Sequence, residues 1–187
     1  MISSAIFRDG IGAIFAYGAI LGTQVFGLDA ADVILFAVAA NVVAALGAFV
    51  GGWLDDKFGP LAVIYGSLIA MIAVGTIMYF QDGQQAFWIF GLALCLFVGP
   101  AQTASRAFLG RITTIDTAGE LYGLYATTGR SIAFLTPAIV AVLIFTLKDQ
   151  RFVIVAIVIV LVLGVLSLLM VKNPPVKAET QRSIMVR

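Results

Sequence analysis

The sequence predicts an all-α, polytopic membrane domain of six transmembrane helices, and three observations predict it. Hydrophobic residues make up 61% of the 187 positions and charged residues only 11%, with a mean hydropathy of +1.08. A soluble domain carries about 25% charge, so this chain has too few charges to cover a water-facing surface. Apolar runs of roughly 20 residues, long enough to cross the hydrocarbon core, recur along the chain. These runs are apolar all round, whereas the strands of a membrane barrel alternate in polarity, so the spans are helices.

The elements follow in order. Span one covers about 5–26 and opens on Arg8-Asp9-Gly10. That charged pair interrupts what would be the apolar core of a signal peptide. A turn at Gly27-Leu28-Asp29 follows, with Asp29 placed to cap the next helix. Span two, about 31–54, carries Asn41 near its middle and small residues at Ala40, Ala44, Gly47, Ala48, Gly51 and Gly52. Small-xxx-small spacing of this kind lets helix backbones approach closely in lipid. The stretch from Gly51 to Pro60 reads as a short charged hairpin. Span three, about 61–80, is nearly free of polar side chains and reads as peripheral.

Span four, about 87–110, contains Pro100, which removes a backbone hydrogen bond and favours a kink. Its Gly91, Cys95, Gly99, Gln102 and Arg106 share one small and polar helix face. Thr117 to Glu120 has the form of a capping box, so span five begins there and covers about 119–147. Arg130 lies about 20 Å along that helix, at membrane depth. Span six, about 152–171, is an uncharged Val/Ile/Leu run. The transmembrane domain thus covers 1–172, and 173–187 reads as a polar, disordered cytoplasmic tail.

Six spans put both ends of the domain on one side. That side holds Arg8, Lys57, Arg106, Arg111, Lys172, Lys177, Arg182 and Arg187, and the other holds Lys148 and Arg151. The positive-inside rule therefore predicts cytoplasmic termini and a cytoplasmic 51–60 hairpin.

Several function classes are excluded. The chain has no histidine and one cysteine, Cys95, so it offers no Ser/His/Asp set, no thiolate metal site and no disulfide framework. Its glycine-rich stretches lack the Gly-Lys-Ser/Thr ending of a nucleotide loop. A net charge of +1 gives no reason to invoke nucleic acid. No cofactor and no enzymatic chemistry are expected; the bilayer itself is the first partner.

Four residues are candidates for lining a substrate cavity. An ionisable group at the depth of Arg130 costs at least about 2.5 kcal/mol on insertion scales, and defaults to a functional hypothesis. It is a candidate to bind a substrate carboxylate or to pair with Asp9; the plainer alternative is a structural ion pair or a snorkelling arginine. Asp9 is a candidate proton-coupling carboxylate or the partner of Arg130, and otherwise an interfacial aspartate beside Arg8. Gln102 lies on the glycine-lined face of a kinked span. Asn41 is placed to bond substrate, or to bond a neighbouring helix as intramembrane Asn commonly does.

The stretch Gly52-Trp53-Leu54-Asp55-Asp56-Lys57-Phe58-Gly59 resembles the signature loop of the major facilitator superfamily, Gly-x-Leu-Ala-Asp-Arg-x-Gly-Arg-Lys, which joins spans two and three of a six-helix repeat on the cytoplasmic side. Asp56 falls on the aspartate, Lys57 on the first basic position, and Gly52 and Gly59 on the glycines; Asp55 replaces the alanine, and Pro60 and Leu61 replace basic residues. The degraded basic end fits the second repeat. Three further segments are similar to the C-terminal half of the vacuolar amino-acid effluxer-like branch, which is related to a fungal autophagy protein and has many bacterial members: Arg8-Asp9-Gly10, Gly99 to Arg106, and Glu120 to Tyr125 with Gly129-Arg130 and Pro137.

That resemblance implies one repeat of the major facilitator fold, in a bacterial plasma membrane. It implies alternating-access secondary transport of small solutes, with amino-acid efflux as the branch's suggestion. Spans one, two, four and five would line the cavity and the face between repeats, and spans three and six would face lipid. Gly52, Asp56, Lys57, Gly59 and Arg106 would form a cytoplasmic gate against the other repeat; without a partner the same loop is an ordinary solvated turn. A complete member has twelve spans, so a second six-span half is implied, either a missing N-terminal repeat or another chain. The alternatives are a truncated or non-transporting membrane subunit, a six-span channel, or a self-associating half-transporter.

Overall fold

The computed structural model describes residues 2–113 and 118–169. The proposed capping box at Thr117 and the 173–187 tail lie outside the described residues. Among the described residues all regular structure is helical, in the order α1 (Ile2–Gln24), α2 (Ala30–Phe58), α3 (Pro60–Tyr79), α4 (Gln84–Ile112), α5 (Ala118–Ile132), α6 (Leu135–Leu147) and α7 (Phe152–Leu169). Counting α5 and α6 as one stretch, six helical segments are long and apolar enough to cross a membrane.

Local chemistry sets the ends. Asp29 caps α2 by accepting a 2.8 Å hydrogen bond from the Asp32 amide, which satisfies one of the orphan donors of the first turn. Gly59 alone separates α2 from α3. Its φ of +83° is one an L side chain rarely adopts, and Pro60 then supplies the fixed φ of a first helical residue. The expected 51–60 hairpin is thus a single-residue turn: Asp55, Asp56 and Lys57 belong to the last turns of α2. No strong breaker stands between Trp53 and Phe58, so the helix continues until glycine permits a reversal.

The span expected as one helix over 119–147 is broken at Ala133-Phe134. Pro137 explains the break. It has no N–H to give the carbonyl four residues back, and its ring crowds that carbonyl. The chain turns instead, with the Ala133 amide bonding the Arg130 carbonyl at 3.3 Å and the Ala138 amide restarting the ladder on Phe134 at 2.9 Å.

α7 packs against α1, α3 and α6, and α4 packs against α2 and α3. The centre of the bundle is therefore α1, α3, α4 and α7, with α2 laid on α4 and α5–α6 laid on α1 and α7. Phe7, Ile11, Leu68, Met71, Val98, Val153, Val160 and Leu161 are fully buried there. α3, expected to be peripheral, buries one whole face (Val63, Ile64, Ser67, Leu68, Met71, Gly75 and Met78) and leaves Ile69 and Ile77 exposed on the other. An all-apolar helix carries no sidedness in sequence, so only packing chooses its inner face. The least buried spans are α2 and α5–α6.

The α2–α4 pair explains the small residues of both helices. Proline at position 100 leaves the Leu96 carbonyl without its helical partner. That carbonyl points into α2, where a Cβ on Gly47 would lie 2.0 Å from it. One turn on, a Cβ on Gly51 would lie 2.5 Å from Pro100 Cα, and a Cβ on Gly99 would lie 2.1 Å from the Ala44 carbonyl oxygen. Only glycine lets the two backbones meet here. Gly91 is covered by the Phe36 ring. The glycine face of α4 is therefore spent on α2, and only its lower residues, Gln102 and Arg106, are exposed.

At one end of the bundle the loops are tied together. Gln84 Nε2 donates to the Gly27 carbonyl at 2.7 Å, and Arg151 donates to the Tyr79 carbonyl and ion-pairs with Asp82. The α1–α2, α3–α4 and α6–α7 connections thus share an end, and the Gly59 turn lies at the other.

Candidate functional site

Polar side chains converge where α1, α4, α5 and α6 meet. Asp9, on α1, extends its carboxylate to the broken span. Its Oδ2 accepts from both the backbone amide and the hydroxyl of Thr136, each at 2.7 Å. Thr136 is the second residue of α6 and is fully buried. Asp9 therefore caps α6 from another helix. It satisfies an orphan amide that the break creates and sets a negative group against the positive end of the helix dipole.

Arg8, one residue earlier, lies with Cζ 4.2 Å from the centroid of the Tyr125 ring. A Cβ on Gly129 would stand 3.3 Å from its Nη1, so the guanidinium threads between α1 and α5 over a glycine. The Tyr125 hydroxyl in turn shares a 2.9 Å hydrogen bond with Ser105 of α4, which is buried. Ser105, Tyr125 and Arg8 thus form a connected polar path across three helices, next to the Asp9–Thr136 clasp.

The proposed cavity residues are placed as follows. Arg130 is exposed in the last turn of α5, where a cation complements the dipole, and it makes no ion pair among the described residues. Asp9, considered as its partner, is held by Thr136 instead. Gln102 is exposed on α4, one turn from the buried Ser105. Asn41 is remote from this cluster. Its amide donates back to the Ala37 carbonyl at 2.8 Å, and it sits on the rim of an apolar cavity of about 120 Å³ lined by Ile14, Phe36, Met71, Cys95 and Leu161. Asp9 is thus tied to α6, Gln102 and Arg130 are exposed on α4 and α5, and Asn41 borders a separate apolar cavity.

At the α2–α3 turn, Gly52 faces open space and Gly59 makes the reversal. Asp56 and Lys57 are exposed; Lys57 Nζ stands 5.4 Å from the centroids of the Trp53 and Phe58 rings. Arg106 is exposed on α4. The carboxylate with a partner is Asp55, whose Oδ2 accepts from Arg111 Nη2 at 2.9 Å. The Asp55 side chain is 7% exposed and that of Arg111 49%. The other Asp55 oxygen, Oδ1, is buried without a partner among the described residues.

Sequence spacing held a signal for this pair. Gly47, Gly51 and Asp55 fall four residues apart, so Asp55 continues the face that meets α4. Arg8 and Thr136 carried weaker signals. Arg8 counted among the basic residues of the cytoplasmic side, and Thr136 gained meaning only through the break that Pro137 causes.

Six helical segments long and apolar enough to cross a membrane, around this small polar cluster, define the class: an integral membrane domain. The chain belongs to the family described as vacuole effluxer Atg22 like, whose model matches residues 1–181. It is also 22% identical over 168 residues to the uncharacterized MFS-type transporter YxiO of Bacillus subtilis (strain 168). That match covers 90% of this chain and 39% of the relative, so the chain spans about two-fifths of the length of the curated relative it matches.

Proposed function

We propose that this chain is one six-helix half of an alternating-access secondary transporter that moves small solutes, with efflux the direction suggested by the family's description and amino acids the substrate that the sequence resemblance implies. The observation that carries this is the broken α5–α6 span, with Asp9 seated on the N-terminus of α6. Discontinuous helices with charged groups at their inner ends are how transporters of several folds build a site at membrane depth. Asp9, Arg130 and Gln102 line the cavity on this side, and Asn41 stays apart from it, bordering the apolar cavity beside α2.

The exposed apolar faces of α2 and α6, including Val38, Phe49, Val142 and Phe145, suit contact with lipid or with a second six-helix half. Gly52, Asp56, Lys57, Gly59 and Arg106 form the gate side of that contact. Asp56 and Lys57 are exposed, which fits a role toward a partner surface rather than within this half. The charge bias of the loops supports cytoplasmic termini.

The test is counterflow of labelled amino acids in proteoliposomes, run with the chain alone and with a second six-helix half. Saturable uptake that requires both halves is expected. Uptake by the chain alone would favour a self-associating half-transporter. No uptake in either case would favour a non-transporting subunit. If Arg130→Gln and Asp9→Asn both leave uptake unchanged, the cavity assignment is wrong.

A further inference from the structure

We propose that Arg8 is the anion-binding residue of this half, and that the group it binds is a carboxylate of the transported solute. This rests on the transport function proposed above and assigns a residue outside the cavity set given there.

Arg8 is a cation without a counter-ion among the described residues. Among the described residues the ion pairs are Asp55–Arg111 and Asp82–Arg151, and neither involves it. Its Nη1 is buried and has no hydrogen-bond partner among the described residues. The neighbouring carboxylate, Asp9, has turned to Thr136. A guanidinium so placed in an apolar span bears a desolvation cost that the Tyr125 ring offsets only in part and that no ion pair among the described residues offsets.

The side chain is not snorkelling. A snorkelling arginine near a helix end runs its stem out to the headgroups. Arg8 instead lies against Tyr125 and Gly129 of α5. Gly129 is roughly 16 Å along α5 from Ala118 at 1.5 Å per residue, so the guanidinium is carried toward membrane depth. The site is also built. The Arg8 Cζ lies over the Tyr125 ring, Ser105 shares a hydrogen bond with the Tyr125 hydroxyl, and Gly129 leaves room that any side chain would fill. A guanidinium held over a ring still has N–H groups for an acceptor, and a carboxylate matches that fork with two parallel hydrogen bonds. One arginine fork satisfies one carboxylate. Arg130, next after Gly129 on α5, is exposed and makes no ion pair among the described residues.

The test measures binding rather than transport. The full chain, together with its second six-helix half where one is supplied, is purified into nanodiscs. It is titrated with L-valine, L-glutamine and L-phenylalanine and with the amide of each, which keeps the ammonium and removes the carboxylate. Wild type is expected to prefer at least one acid over its amide. Arg8→Gln should weaken that acid roughly ten- to hundred-fold and leave its amide unchanged, as expected for loss of hydrogen bonds to a charged group. Arg8→Lys keeps the charge but not the fork and should fall between them; it also decides the matter if Arg8→Gln does not fold. Equal losses for acid and amide would make Arg8 a packing residue and overturn the proposal, as would a wild type with no preference for any acid. Loss of phosphatidylglycerol retention in Arg8→Gln, with amino-acid binding intact, would make the anion a lipid phosphate and overturn it too. Acid-selective binding without counterflow would sink the transport function and leave Arg8 assigned; counterflow indifferent to Arg8→Gln would do the reverse.

Discussion

Asp9 Oδ2 holds Thr136 twice, by its backbone amide and by its hydroxyl, each at 2.7 Å. One oxygen of α1 thus secures the start of α6, the point at which the fifth span is broken. Side-chain caps contribute about 1 kcal/mol, and a charge on the helix dipole can add to that in a buried setting. Asp9→Ala should therefore speed hydrogen exchange in the first turn of α6 by roughly five-fold or more, with α7 amides unchanged. Asp9→Asn keeps an acceptor oxygen and should show a smaller effect. Equal protection in Asp9→Ala and wild type would mean that the clasp does not hold the break.

The Asp55–Arg111 pair predicts an asymmetry. Arg111 is half exposed and regains water when its partner is removed, whereas Asp55 is buried and already has one unpaired oxygen. Arg111→Gln should cost about 1–3 kcal/mol, the penalty for leaving a buried polar group unsatisfied. Asp55→Asn should cost less, and the double variant should recover part of the Arg111→Gln loss. Asp56→Asn, at an exposed site, should leave stability unchanged. Denaturation midpoints of the four variants in one detergent check this; a larger loss for Asp56→Asn than for Arg111→Gln would reverse the assignment.

The six spans were legible because hydropathy over a 20-residue window depends on composition alone. The cap at Asp29 and the tight α2–α4 approach were legible for a similar reason: both follow from short-range spacing. The break at Ala133-Phe134 was hidden inside a long apolar run, with Pro137 its visible trace. Direction within a helix was harder still. Asp55 and Asp56 differ by 100° around α2, and resemblance to a signature loop drew notice to Asp56 while the face shared with Gly47 and Gly51 belongs to Asp55. Arg8 and Thr136 join helices more than 120 positions apart, and no local pattern encodes such a pairing.

Exposure on α4 and α5 gives a direct check on the cavity residues. In a Cys95→Ser background, Gln102→Cys and Arg130→Cys should react with a small water-soluble thiol reagent. Thr136→Cys, at a fully buried position, and Ser105→Cys, also buried, should not. If Arg130→Cys is as inert as Thr136→Cys, position 130 faces lipid or protein rather than a water-filled cavity, and its part in substrate binding falls.

The crossing of α2 and α4 depends on glycine at three positions and on none at a fourth. A methyl group on Gly47 would meet the Leu96 carbonyl oxygen at 2.0 Å, and on Gly99 the Ala44 carbonyl oxygen at 2.1 Å; both are backbone atoms, which cannot swing aside. On Gly51 it would meet Pro100 Cα at 2.5 Å, while on Gly52 it would meet nothing within 4 Å. Overpacking of a tight contact costs typically about 1–3 kcal/mol. Each of Gly47→Ala, Gly51→Ala and Gly99→Ala should lower the unfolding midpoint in detergent accordingly. Gly52→Ala should be neutral or slightly stabilising, because alanine is the better helix former by about 1 kcal/mol. The adjacent pair Gly51→Ala and Gly52→Ala makes the decisive comparison, since composition, depth and helix propensity are shared and only the facing of the methyl differs. Equal midpoints for those two variants would mean that α2 does not approach α4 through this face.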